Sequence, residues 1–221
     1  MAAPRFGGGF GGGVLSVPVS VRRLFLHEVR GVGSLVRWVA RRMHGVRGGD
    51  RAVPYTGPQT AMVYGILFVS VVETVALTVL LTPWPLVHRI MLVLDLYAVL
   101  TVLALHAGCV TRPHVACADG SLRIRYGVLF DLLVTRDRIA SVRVERRYPS
   151  GGLIQFAPAA DEGEGGGVLD LVVGSETSVR VELTEPVTFV RPLGRTGRAR
   201  VIRFHADEAD ELVRALRAAH T

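Results

Sequence analysis

The sequence contains no Lys and no Asn, and only two Cys, at positions 109 and 117. All 26 basic residues are Arg, a usage that fits the codon bias of a GC-rich bacterial genome. Two cysteines exclude a disulfide-stapled secreted scaffold. Charge is scarce as well. Only 20% of residues are charged while 49% are apolar, a balance too oily for an ordinary soluble domain of 221 residues. Catalytic patterns are also missing. The seven His (27, 44, 88, 106, 114, 205, 220) follow no metal-ligand spacing, and no G-x-S-x-G turn or pair of soluble carboxylates stands out. His106 and His114 with Cys109 and Cys117 nearby allow a thiol–imidazole metal site only in principle. Plain helix-end and strand residues are the simpler reading. No enzyme, cofactor or metal is therefore expected.

What is abundant is apolar sequence between Ala61 and Val110: AMVYGILFVSVVETVALTVLLT, then PWPLVHR, then IMLVLDLYAVLTVLALHAGCV. Each run is about 20 residues, enough at 1.5 Å per residue to cross a ~30 Å hydrocarbon core. Pro83-Trp84-Pro85 breaks the helix between them, and Trp suits an interface. The expectation is a transmembrane hairpin over 61–110. No leader is visible before it, so the hairpin itself is expected to direct insertion.

Charge is placed unevenly. Residues 1–58 carry nine Arg against Glu28 and Asp50, and the remainder carries seventeen of each sign, so the net +7 sits wholly in the first segment. Residues 1–18 are Gly-rich, with GGG at 7–9 and 11–13, and are expected to form a flexible tail. In 19–48, Phe25, Val29, Val32, Val36, Val39, Met43 and Val46 repeat at alternating steps of four and three, one face of a helix. Arg23, Arg30 and Arg37 line its edge and Arg41 and Arg42 extend it. Such a basic amphipathic helix suits an anionic membrane surface. Packing on the C-terminal domain or on a second chain is the alternative. No nucleic-acid motif accompanies the charge, so nucleic acid is not expected as a partner. Residues 49–60 read as a linker. Arg flank both outer ends of the hairpin while the turn has only Arg89, so the positive-inside rule puts both termini in the cytoplasm.

From Arg112 the apolar period changes from helical to two. HVACAD, Asp119-Gly120 and SLRIRY read as a hairpin on a two-residue turn. VLFDLLVT, ASVRVERR, VLDLVV, TSVRVEL and ARVIRFHA read as further strands. Residues 149–167 read as a long acid-rich loop with a short strand at LIQF. EPVTFVRPLGRTGRA reads as irregular. The chain closes on an amphipathic helix, with Asp207 and Glu208 in its first turn and Leu212, Leu216 and Ala219 on one face.

Ala118-Asp-Gly-Ser-Leu-Arg-Ile-Arg-Tyr-Gly127 and Arg138-Ile-Ala-Ser-Val-Arg143 carry a resemblance to the bacterial pleckstrin-homology-like (PH-like) membrane proteins. They are similar to that family's opening DG-x-L-x-x-x-x-G hairpin and its later I-x-S-V strand. The resemblance covers about residues 110–221, plus the hairpin by arrangement. It implies an α+β membrane protein: a two-helix hairpin, then a small antiparallel β-barrel or sandwich of about seven strands with a C-terminal helix, at 111–221 in the cytoplasm. It also implies lipid or protein binding rather than catalysis, and a bacterial plasma-membrane location. With the codon bias it implies an actinobacterial source.

Two constellations invite function. Glu73 and Asp95 lie eleven residues either side of Trp84 and so could share a depth in an antiparallel hairpin, where a carboxylate costs ~2.5–3.5 kcal/mol. They read as a polar contact to the same chain or another membrane protein, as residues satisfied locally, or as an ion or proton site. Arg191, Arg195, Arg198 and Arg200, with Gly194 and Gly197 among them, read as a basic loop able to grip a lipid phosphate, or as a solvated loop balanced by Asp161, Glu162 and Glu164. GRTGR lacks the Lys-Ser/Thr of a P-loop. The leading expectation is a membrane-anchored, non-enzymatic adaptor for protein or anionic lipid. The alternative is a small transport or channel subunit using Glu73 and Asp95.

Overall fold

The computed structural model describes residues 31, 33–41, 43–158 and 166–220, with His220 in backbone only. The expected Gly-rich tail, Arg23, Arg30, Arg42 and the acids at 161, 162 and 164 lie outside these residues. The protein is α+β: two long apolar helices, then mixed sheets, then a C-terminal helix.

Residues 33–39 are helical (α1), and the chain leaves the helix at Ala40 and Arg41, the latter at φ 52°. The amphipathic helix expected to reach residue 48 therefore stops nine residues earlier. The turn at Gly45, where φ is 67°, is a conformation that helical periodicity does not reveal. Helix α2 spans Gly57–Leu80 and α3 spans Pro85–Val110. The first begins four residues before the apolar run, because Pro58 fits the first turn, where no intrahelical N–H is needed. Pro83 ends α2, and Pro85 opens α3. Both helices are long and apolar enough to cross a membrane.

Among the described residues, nine strands form two sheets. The first has the order β1 (Arg51–Val53), β2 (His114–Ala116), β3 (Leu122–Tyr126), β4 (Phe130–Val134), all antiparallel. The second has the order β5 (Ile139–Arg147), β8 (Thr177–Val190), β9 (Thr196–Phe204), β7 (Gly167–Leu171), β6 (Ile154–Ala157). Its pairs are antiparallel except β7 with β9. The expected count of about seven thus falls short by two strands. One is β1, inside the segment read as a linker; three residues are too few to show an alternation. The other is β6, which the sequence places as a short strand at LIQF within the loop but outside that count. The β2–β3 turn is also one residue longer than expected: Gly120 N–H donates to Cys117 O at 2.9 Å and Cys117 N–H to Ser121 O at 2.8 Å, with Gly120 at φ 82°.

Period-two side chains fill the space between the sheets. Leu122, Ile124 and Tyr126 face inward from β3, Val179, Val181 and Leu183 from β8, and Ile202 and Phe204 from β9. Helix α4 (Ala209–His220) inserts Leu212, Val213 and Leu216 and packs chiefly on β5. Ala219, expected on that face, is only partly buried. Each fully buried Leu, Ile or Phe contributes roughly 1.5–3 kcal/mol, so this core, rather than any polar contact, holds the domain.

Candidate functional site

The root of the helix hairpin is where the two halves of the protein meet. Because β1 runs directly into α2, the first sheet and the hairpin share one stretch of backbone. Tyr55, fully buried between them, accepts the Gly127 N–H on its hydroxyl at 2.6 Å. Burial raises its pKa well above the ordinary phenol value. Asp207 reaches across from the far end of the chain and accepts the Gly57 N–H at 3.0 Å, a side-chain cap supplied to α2 from outside the helix. The first turn of α2 contains no acid of its own. Asp207 therefore does not serve α4, as its sequence position implied; the acids in the first turn of α4 are Asp210 and Glu211.

A buried histidine pair braces this root. His114 Nε2–H donates to His205 O at 2.9 Å while Nδ1 accepts the Arg125 N–H at 3.1 Å, so the ring is the neutral Nε2–H tautomer. Burial pushes its pKa down to about 3. His205 in turn lies between Glu176, at 3.2 Å from Nδ1, and Asp207, at 3.1 Å from Nε2.

Beside the root lies a concentration of positive charge. Arg125 is 1% exposed, because the turn at His44 and Gly45 covers it and takes its Nη1–H on His44 O at 2.8 Å. His44 N–H donates to Thr111 O at 2.9 Å, which ties the turn to the end of α3. Burial, and then the guanidiniums of Arg112, Arg37, Arg125 and Arg123, push the His44 imidazole below its ordinary pKa. Asp131 answers part of this charge by a bidentate pair with Arg123, at 2.7 and 2.8 Å. Next to this turn, α1 and the end of α3 enclose a cleft of about 500 Å³ lined by Arg37, Trp38, Val39, Arg41, Met43, Val110 and Thr111. Two of the expected surface arginines, Arg37 and Arg41, therefore stand at one opening.

Asp95 and Glu73 are separated. Asp95 accepts a hydrogen bond from Thr74 Oγ1 at 3.2 Å in the seam between α2 and α3. Nearer the turn, Thr78 and His88 meet across the same seam at 3.3 Å. Asp95 thus lies level with the neighbour of Glu73, whereas Glu73 is exposed and pairs with no described residue.

The basic segment after Glu185 is not an irregular loop. Strand β8 continues to Val190 and pairs through Val190–Thr196 with β9. Only Arg191 to Arg195 turns, closed by Arg191 N–H to Arg195 O at 2.7 Å. Gly194, at φ 95°, belongs to that turn. Gly197 serves close approach rather than flexibility: a Cβ there would lie 2.6 Å from the Phe189 ring. Arg198 and Arg200 stand exposed along β9, and Arg191 Nη2 reaches Ile154 O at 3.4 Å, so the four arginines are spread along an arm. On the outer face of the same sheet, Glu145 lies within 3.1–3.6 Å of Arg143, Arg147 and Arg180. Arg203 faces Asp170 at 3.5 Å, and burial raises the Asp170 carboxyl pKa while Arg203 pulls it back. Among the described residues no group of three or more His, Cys, Asp and Glu could hold a metal ion.

No protein-family model, curated protein or solved structure matches this chain. Sequence reasoning missed Asp207, His114, His205, His44 and Arg125. Their partners lie 150, 91 and 81 residues away for the Asp207, His114 and Arg125 contacts, and no local spacing encodes such distances.

Proposed function

We propose that the α2–α3 hairpin crosses a bacterial plasma membrane and holds a PH-like β domain against its cytoplasmic face, as a non-enzymatic adaptor for protein or anionic lipid. The helices span about 36 and 39 Å at 1.5 Å per residue, more than a ~30 Å hydrocarbon core requires. Their outward faces carry Phe68, Val72, Leu94 and Leu96, apolar surface that water would not tolerate. Arg37, Arg41, Arg112, Arg123 and Arg125 lie toward the root, and Arg89 alone lies at the turn, which supports a cytoplasmic root. The two-sheet arrangement with an inserted C-terminal helix supports the PH-like reading, and the parallel β7–β9 pair is its departure from an antiparallel meander.

The observation that carries the proposal is the rigid root. β1, Tyr55 and Asp207 fasten the sheet to the start of α2, so inserting the hairpin fixes the domain's stance at the membrane. A tether would need only a linker. The Thr74–Asp95 contact within the seam, with Glu73 outside it, favours helix association over a two-carboxylate ion path. Alkaline carbonate extraction of membranes containing the full chain tests the anchor: retention in the bilayer fraction is expected, and recovery in the wash overturns the proposal.

A further inference from the structure

We infer that the cleft between α1 and the end of α3 is a discrete binding site for one anionic phospholipid, its phosphate held by Arg37 and Arg41 and its glycerol and upper acyl carbons laid on Trp38, Val39, Met43 and Val110. The inference rests on the membrane reading above and adds a ligand and a location to it.

The cleft is mainly apolar with two arginines at its opening, and among the described residues no acidic side chain lines it. It opens where the apolar run of α3 ends, at Val110 and Thr111, the level at which phospholipid headgroups lie when such a helix crosses a bilayer. Its volume, about 500 Å³, suits a headgroup with the first carbons of its chains rather than a folded partner. The walls are built. Ser34 of α1 is fully buried, Trp38 packs edge-on to His106 at 5.8 Å between ring centres, and His44 is bonded to Thr111. The field is positive beyond the lining, since four guanidiniums act on His44 at the cleft's edge. Guanidinium forks match phosphate oxygens bidentately, and apolar walls distinguish a lipid from a free phosphate ester.

Trp38 and Trp84 are the only tryptophans, so a Trp84→Phe chain reports from the cleft alone. The experiment reconstitutes this full-length chain in vesicles and follows Trp38 quenching by phosphatidylglycerol or phosphatidylcholine brominated on the acyl chains, at equal mole fractions. Brominated phosphatidylglycerol is expected to quench at about tenfold lower mole fraction, and Arg37→Gln with Arg41→Gln to abolish the difference. Arg198→Gln with Arg200→Gln, on the distant arm, should preserve it, and soluble glycerol phosphate should not relieve it. Equal quenching by both lipids, a preference that survives the cleft variant, or relief by glycerol phosphate overturns the site. So does a floated chain whose Trp38 neither lipid reaches, the result expected if residues 1–30 fill the cleft. A chain that fails to float with vesicles overturns the membrane reading itself, and the site with it.

Discussion

The carboxylate of Asp207 lies 3.0 and 3.1 Å from the Gly57 backbone nitrogen, 150 residues away, and caps the first turn of α2. Pro54 O accepts the Asp207 N–H at 2.9 Å, so the two segments grip each other at both ends of one short crossing. An anionic cap satisfies an orphan amide and opposes the positive end of the helix dipole. Asp207→Ala is expected to destabilise the full chain in micelles by about 1–2 kcal/mol. The exposed Asp210→Ala should stay within about 0.5 kcal/mol. Denaturant titration followed by near-UV circular dichroism checks this, and equal shifts for the two variants would refute the capping role.

A second clasp lies at the β7–β8 turn. Gly174 sits at φ 56° against Pro58, and a Cβ there would lie 2.3 Å from the Pro58 Cβ. Gly174→Ala combines left-handed strain with a clash and is expected to cost about 2–3 kcal/mol. Gly152→Ala, whose Cβ meets nothing within 4 Å, should be close to neutral. The same titration decides.

His114 sets a pH dependence. Its folded pKa is about 3 against an ordinary 6.5. Between those values the unfolded chain holds a proton that the folded chain rejects. This contribution is therefore complete above pH 6.5, is lost as pH falls towards 3, and changes no further below. The slope in that window is about 1.4 kcal/mol per pH unit. The difference between stability curves of the parent and His114→Gln from pH 4 to 7 should show it. Parallel curves would mean that the imidazole is not kept neutral by burial.

Within the hairpin the two acids should behave differently. Thr74→Val removes the Asp95 contact and should weaken helix–helix packing by about 0.6 kcal/mol without changing what the chain associates with. Glu73→Leu leaves that seam intact and should reduce crosslinking of the chain to itself or to another membrane protein. Crosslinking in native membranes separates them, and an effect of Thr74→Val equal to that of Glu73→Leu would contradict the assignment of faces.

How far the sequence carries can be followed along single residues. The apolar runs around Phe68 and Leu94 declare two long helices because no proline interrupts them, and the alternation of Leu122, Ile124 and Tyr126 declares a strand because each faces the core. Val53 and Tyr55 do not declare themselves. Three residues of β1 carry no measurable period, and their burial comes from strands that follow the hairpin. The arm at Glu185 to Ala199 reads as irregular because Pro186, Pro192 and two glycines punctuate it, yet Phe189 and Ala199 draw it into the core. Of the candidate site, the arginines are visible as charge. The cleft that gathers Arg37 and Arg41 depends on the fold of His44 onto Thr111, a backbone contact with no side-chain signature.

The most direct test of a cytoplasmic domain fixed to a membrane hairpin is the sidedness of that domain. A protease recognition sequence inserted between the exposed Gly151 and Gly152 gives a single defined cut. Cleavage in inside-out vesicles, with right-side-out vesicles protected until detergent is added, is the predicted result. Cleavage in intact right-side-out vesicles would contradict it.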